Sequence, residues 1–166
     1  MVKVRYVLIA LLLVAVSIGV GLRLFQSEEK RVKKQFDLLS EGVSKVPDEN
    51  TIAMAARMQK LGSLFDEKCE LKFPADSFSG IYTPEEISSY AARGRARFSK
   101  LSLEFIDFDV TFPEKGVAKV NLTAKLTGRT RAGEQVRETR ELECLLKKIE
   151  RKWLFNDIEV VEVLKK

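Results

Sequence analysis

Histidine is absent from the chain, which removes the side chain whose pKa best suits proton transfer near neutrality and the commonest transition-metal ligand. Serine and cysteine triads that depend on histidine are thereby excluded. Cysteine is almost as scarce. Cys69 and Cys144 are far apart and form no C-x-x-C pair, so zinc-ribbon and thioredoxin-type sites are excluded as well. The 9 glycines and 4 prolines are too few for a collagen-like or low-complexity chain. No metal and no cofactor is expected.

Acidic residues are missing from one stretch, since none precedes Glu28. Three bases, Lys3, Arg5 and Arg23, flank the apolar N-terminus, which leaves 26 bases against 24 acids from residue 24 onward. The formal charge of +5 therefore shrinks to +2 for the remainder. That balance is too even for a phosphate-binding surface, and no nucleic-acid partner is expected.

From Tyr6 to Leu22, through Leu12 and Val16, 17 consecutive residues carry no charge. A run of this length reaches the lower end of the ~17 to 25 residues that cross a bilayer core. Residues 1–25 are read as a membrane anchor and 26–166 as one α+β domain. The competing reading is a cleaved signal peptide, with Ala15-Val16-Ser17 as a small-x-small site. The anchor is preferred because the apolar run outlasts the ~7 to 15 residues of a signal core. The expected location is the bacterial inner membrane, single-pass with the domain in the periplasm, or the periplasm alone after cleavage. The basic cluster around Lys30, Arg31, Lys33 and Lys34 argues for the opposite orientation.

Beyond Ser27 the apolar spacing is helical, and Glu28 and Glu29 suit a first turn through the helix dipole. Val32, Phe36, Leu39, Val43 and Val46 make one stripe, ended by Pro47. A second helix is predicted over about 51–65, with Met54, Met58, Leu61 and Phe65 on one face. Cys69, Leu71 and Phe73 then alternate as a short strand. Thr83-Pro84-Glu85-Glu86 is a capping box with proline at the first helical position, so a third helix begins there. Its buried face is read as Ile87, Tyr90, Ala91, Gly94, Phe98 and Leu101, with Gly94 allowing close approach to a sheet. Arg93, Arg95 and Arg97 fall on the solvated side.

The last 65 residues alternate with period 2. Leu101, Leu103 and Phe105 change phase to Ile106, Phe108, Val110 and Phe112, which predicts a bulge near Phe105 and Ile106. Strands follow over about 118–126, 136–146 and 153–164. Three helices packed on a bent antiparallel sheet are expected.

This order of elements, closing in the run Glu150-Arg151-Lys152-Trp153-Leu154-Phe155-Asn156-Asp157-Ile158, resembles the nuclear transport factor 2-like superfamily, the cystatin-like cone. The resemblance covers residues 28 to 164 and implies fold more than function, because this superfold hosts isomerases, dehydratases, hydrolases and scaffolds. It includes membrane-anchored members in type IV secretion systems and beside mammalian-cell-entry lipid transporters. Its ketosteroid-isomerase-like members use a tyrosine with two carboxylic acids.

No such constellation is legible here. Asp107 would face inward only if the bulge restores the earlier phase. Glu138 and Arg140 share the core-facing phase of their strand, and opposite charges there more often mean a strand end in water or a structural ion pair. Cys69 and Cys144 both fall on inward faces, either as buried thiols or as a disulfide. Tyr82 and Tyr90 are expected to pack. The function expected is a membrane-tethered, non-catalytic scaffold or adaptor, binding another envelope protein or a small apolar ligand. It would form at most a weak homo-oligomer. The alternative is a lyase or isomerase acting in the cone.

Overall fold

The computed structural model describes residues 26–45, 47, 49–74 and 79–161. Residues 26–43 form helix α1. There follow α2 (Thr51–Gly62), β1 (Phe65–Lys72), β2 (Gly80–Tyr82), α3 (Pro84–Ala96), β3 (Phe98–Glu114), β4 (Val117–Thr130), β5 (Gln135–Ile149) and β6 (Lys152–Val161). The strands make one sheet in the order β2-β1-β6-β5-β4-β3. Three helices on a coiled sheet give the expected α+β cone.

The stripe on α1 is correct where it is described. Val32, Phe36 and Leu39 are buried, each contributing apolar area at about 25 cal/mol per Å² removed from water. They pack with Val120, Leu122 and Leu146 of the sheet in one core cluster. The capping box of α3 is present, with Glu86 N–H donating to Thr83 Oγ1 at 3.3 Å and Thr83 N–H donating to Glu86 Oε2 at 2.9 Å. Asn50 caps α2 by accepting from Ala53 N–H at 2.7 Å.

Several expectations need correction. The sheet is mixed, because β1 runs parallel to β6 while the other neighbours are antiparallel. Period-2 alternation carries no information about strand direction. The three-residue β2 gives too short a pattern to detect. Helix α2 ends at Gly62, and Phe65 opens β1 instead of closing the helix; α3 likewise ends at Ala96, and Phe98 and Leu101 belong to β3. Helix α1 ends before Lys45, which pairs with Leu101 of β3 as an isolated bridge. Gly94 faces open space; close approaches occur at Gly42, where a Cβ would lie 2.8 Å from Leu61 Cδ1, at Gly62, where it would lie 2.5 Å from Ser88 Oγ, and at Gly128 of β4, where it would lie 2.8 Å from Lys100 O.

The β3 bulge exists, one residue beyond its expected place. Ile106 pairs with Thr123 and Asp109 with Asn121, three steps on β3 against two on β4. Asp107 takes a left-handed φ of +57°, a conformation that aspartate tolerates better than most residues.

Candidate functional site

The concave face of the sheet is where a cone of this kind would hold a ligand. Here the Phe36 ring of α1 occupies it. Its centroid lies 5.4 Å from Phe105, 5.3 Å from Phe108 and 5.0 Å from Phe155, all edge to face. Such pairs favour each other by about 0.5–1.5 kcal/mol beyond the area they bury. Phe112 and Trp153 continue the aromatic wall at 5.8 Å. Ionisable groups meet this wall at its margin: Lys33 Nζ lies 5.6 Å from the Phe108 centroid and Lys148 Nζ 5.7 Å from that of Trp153. No cation stacks on Phe36, Phe105 or Phe155 among the described residues. Arg95 is the one charged residue buried as a whole there, and it belongs to a different region.

Asp107 is exposed at the bulge, because the extra residue turns Phe108 inward and leaves the carboxylate on the solvent side. Glu138 and Arg140 are also exposed and pair with each other at 3.3 Å. They stand on the half of β5 from Gln135 to Glu141, which is wet on both faces. The structure does not bring Asp107, Glu138 and Arg140 together. Tyr82 and Tyr90 pack edge to face at 5.4 Å.

Both cysteines are buried and free. Strand β6 lies between β1 and β5, so two interstrand spacings, about 9 to 10 Å, separate their backbones. A disulfide needs Cα atoms ~4.4 to 6.8 Å apart. Burial, reinforced by Asp157, pushes the Cys69 thiol up to about 12 and raises Cys144 likewise, which leaves neither as a thiolate at neutral pH. Among the described residues no three His, Cys, Asp or Glu side chains could share a metal ion.

Two polar clusters have no counterpart among the sequence expectations, and both hold ends of α1. Arg95 was expected on the solvated side of α3 but is 2% exposed. Its Nε donates to Val43 O at 3.1 Å, and its Nη2 donates to Ser44 O at 2.8 Å and to Glu49 Oε2 at 2.7 Å. The guanidinium thus satisfies carbonyls at the C-terminal end of α1, which have no intrahelical partners. Arg57 Nε reaches the other oxygen of Glu49 at 3.1 Å. An open groove of about 510 Å³ between α1 and α2, lined by Ser40, Glu41, Gly42, Arg57, Lys60 and others, has its cations committed to these pairs and to Lys60–Glu41 at 3.7 Å.

At the other end of α1, Glu28 Oε2 accepts from Lys148 Nζ at 2.7 Å and from Trp153 Nε1 at 3.0 Å. Partial burial by itself would raise the Glu28 pKa. The hydrogen bonds from Lys148 and Trp153, with the charges of Lys148 and Arg31, outweigh that and hold the carboxyl below its ordinary value. A place in the first helical turn gives a glutamate only a local role; the indole and ammonium on β6 and β5 give Glu28 a tertiary one.

The candidate anchor, with Tyr6, Leu12, Val16 and Leu22, lies outside the described residues. Among those described, no helix is long and apolar enough to cross a membrane.

No protein-family model matches the chain, and no curated protein does. Solved structures match in number. A protein from Novosphingobium aromaticivorans, provisionally assigned as a scytalone dehydratase, superposes with a TM-score of 0.70 at 14% identity, covering 84% of this chain and 86% of its own. A provisionally assigned aromatic ring hydroxylase from the same organism gives 0.66 at 11%, covering 81% and 88%. LinA gives 0.66 at 10%, covering 82% and 86%. These likenesses support the nuclear transport factor 2-like cone as the fold.

Proposed function

We propose that this chain is a membrane-tethered cone domain that binds instead of catalysing, holding another envelope protein or a small apolar ligand. The observation that carries this reading is the Phe36 ring seated among Phe105, Phe108 and Phe155. It places hydrocarbon where a catalytic cone would need converging acids and bases. Apolar contact can hold a partner without any proton transfer. The tether is the uncharged run from Tyr6 to Leu22, and the inner membrane of a bacterium, with the domain in the periplasm, is the location we assign. Contact between copies would be weak. The outer face of the sheet is polar, with Lys119 paired to Glu143 at 2.7 Å, unlike the apolar surface of an obligate dimer.

A second reading is favoured by the comparisons more than the first. The names of the similar structures, a dehydratase and a hydroxylase among them, lean toward small-molecule chemistry in the cone, as a lyase or isomerase. At 10 to 14% identity they carry fold and not residues, so an enzyme built on this chain would need an acid–base pair other than Asp107, Glu138 and Arg140 as they now stand. Crosslinking in the native membrane, followed by identification of what is captured, separates the two. Recovery of a second envelope protein supports the binding reading. Recovery of monomer alone, with a polar small molecule copurifying and turned over, overturns it in favour of the enzyme.

A further inference from the structure

Exposed positive charge stands at both ends of the long strands. The β4–β5 turn and the start of β3 carry Arg97, Lys100, Arg129, Arg131 and Arg137 against Glu134. A second basic cluster stands at the end that receives the N-terminus of α1. The β3–β4 and β5–β6 turns lie side by side there, joined by Lys148 N–H donating to Gly116 O at 2.8 Å. The N-terminal end of α1 is held at the same place through Glu28. The two turns and their shoulders present Lys115, Lys147, Lys148, Arg151 and Lys152 against Glu114 and Glu150 alone. This net +3 is the charge that stands beside the N-terminal end of α1, where the chain arrives from its uncharged run. Lys148 is committed to Glu28. Lys115, Lys147, Arg151 and Lys152 are exposed, and none of them pairs with a carboxylate of the described residues.

The chain reaches this end directly from its uncharged run. Leu22 is the last residue of that run and Glu28 follows six positions later. Even fully extended, six residues span at most about 20 to 22 Å. The headgroup layer on each side of a bilayer is itself roughly 5 to 8 Å deep, and charge acts over about 10 Å at 0.1 M salt. A run that spans the bilayer therefore keeps the two turns within reach of the lipid surface, since Glu28 is fastened to Lys148 and Trp153 beside them.

We propose that this basic end is a docking face for anionic phospholipid headgroups, so that the domain rests on the membrane in one orientation. The inference builds on the tether reading above. Four unpaired cations on two rigid turns suit a sheet of phosphates, to which polybasic surfaces are drawn without any shaped pocket.

Trp153 is the single tryptophan and lies at this end, which makes it an internal donor for energy transfer. The full chain is reconstituted into vesicles of phosphatidylcholine alone, or with roughly a third phosphatidylglycerol, each containing a lipid with a dansylated headgroup. Transfer from Trp153 should be stronger in the anionic vesicles. The excess should vanish at 1 M salt, where the screening length falls to about 3 Å, and in a Lys115→Glu, Lys147→Glu, Lys152→Glu variant. Equal transfer in both vesicles, or an excess indifferent to salt, overturns the docking face. The salt arm uses the unaltered chain, so its outcome does not depend on the variant folding. Flotation after an alkaline wash reads the tether separately. A chain retained by the vesicles with equal transfer loses only the docking face, whereas one released by the wash loses the tether and the docking face with it.

Discussion

Helix α1 is fastened at both ends by a glutamate and a cation, yet the two fastenings differ in almost every physical respect. At the C-terminal end Arg95 and Glu49 are nearly dry, with side-chain exposures of 2% and 4%. At the N-terminal end Glu28 and Lys148 each keep 27% of their side-chain surface in water. A buried pair has already lost its hydration and depends on its partner to offset that loss, whereas a half-exposed pair can fall back on solvent. Similar chemistry therefore makes one end of the helix a fixed structural joint and the other an adjustable one. The adjustable end is the one nearest the candidate anchor.

The comparison breaks most visibly at Glu49. Glu49→Ala would strand the Arg95 guanidinium in the interior, leaving Arg57 to lose its partner as well, and should lower unfolding free energy by about 3–5 kcal/mol. Chemical denaturation reads this directly, and a loss under about 1 kcal/mol would show that the pair is wetter than its burial implies. Glu28→Gln keeps the shape but weakens the acceptor for Lys148 and Trp153, and should cost about 1 kcal/mol, below the ~1.5–3 kcal/mol of a hydrogen bond to a charged group because water remains close.

The same residue predicts a pH dependence. Its folded pKa lies below the unfolded value, so its stabilisation is fully present above the unfolded pKa of about 4.3. It is lost as pH falls through the depressed folded value. Trp153 emission should change over that acid range in the native protein and not in Glu28→Gln, and identical titrations would show that the indole does not sense the carboxylate. The smallest effect belongs to Arg31, which pairs with Glu28 at 3.1 Å from a side chain 57% exposed. Arg31→Ala should shift stability by no more than about 0.5 kcal/mol. A larger loss would mean that the N-terminal fastening works as a network and not as a single contact.

Legibility followed the range of the interaction. The α1 stripe through Val32, Phe36 and Leu39, the Thr83–Glu86 capping box and the alternation along β4 were readable, since each depends on neighbours a few positions apart. The bulge was readable as a change of phase and misplaced by one residue, because alternation shows that an extra residue exists and not which one takes the left-handed conformation. Arg95 was misread for a different reason. It lies off the apolar stripe of α3, and only the arrival of the Val43 and Ser44 carbonyls from a helix some 50 positions earlier makes that side an interior. Cys69 and Cys144 were correctly placed on inward faces, but the intervening β6 that separates them belongs to strand order, which alternation does not encode.

For the candidate site, the absence of histidine and the scatter of Asp107, Glu138 and Arg140 already argued against a constellation. What could not be seen was Phe36 reaching the centre of the cone, because a helical stripe says which face is buried and not what it meets. By itself the sequence determined that three helices precede long strands, which faces of most of them are apolar and how the charge divides along the chain, since propensity, capping and periodicity act within a few residues. Strand order, the parallel β1–β6 pairing, the burial of Arg95 and the gathering of cations beside Glu28 were decided only by the tertiary structure. Each of these depends on surfaces distant in the chain excluding water from one another.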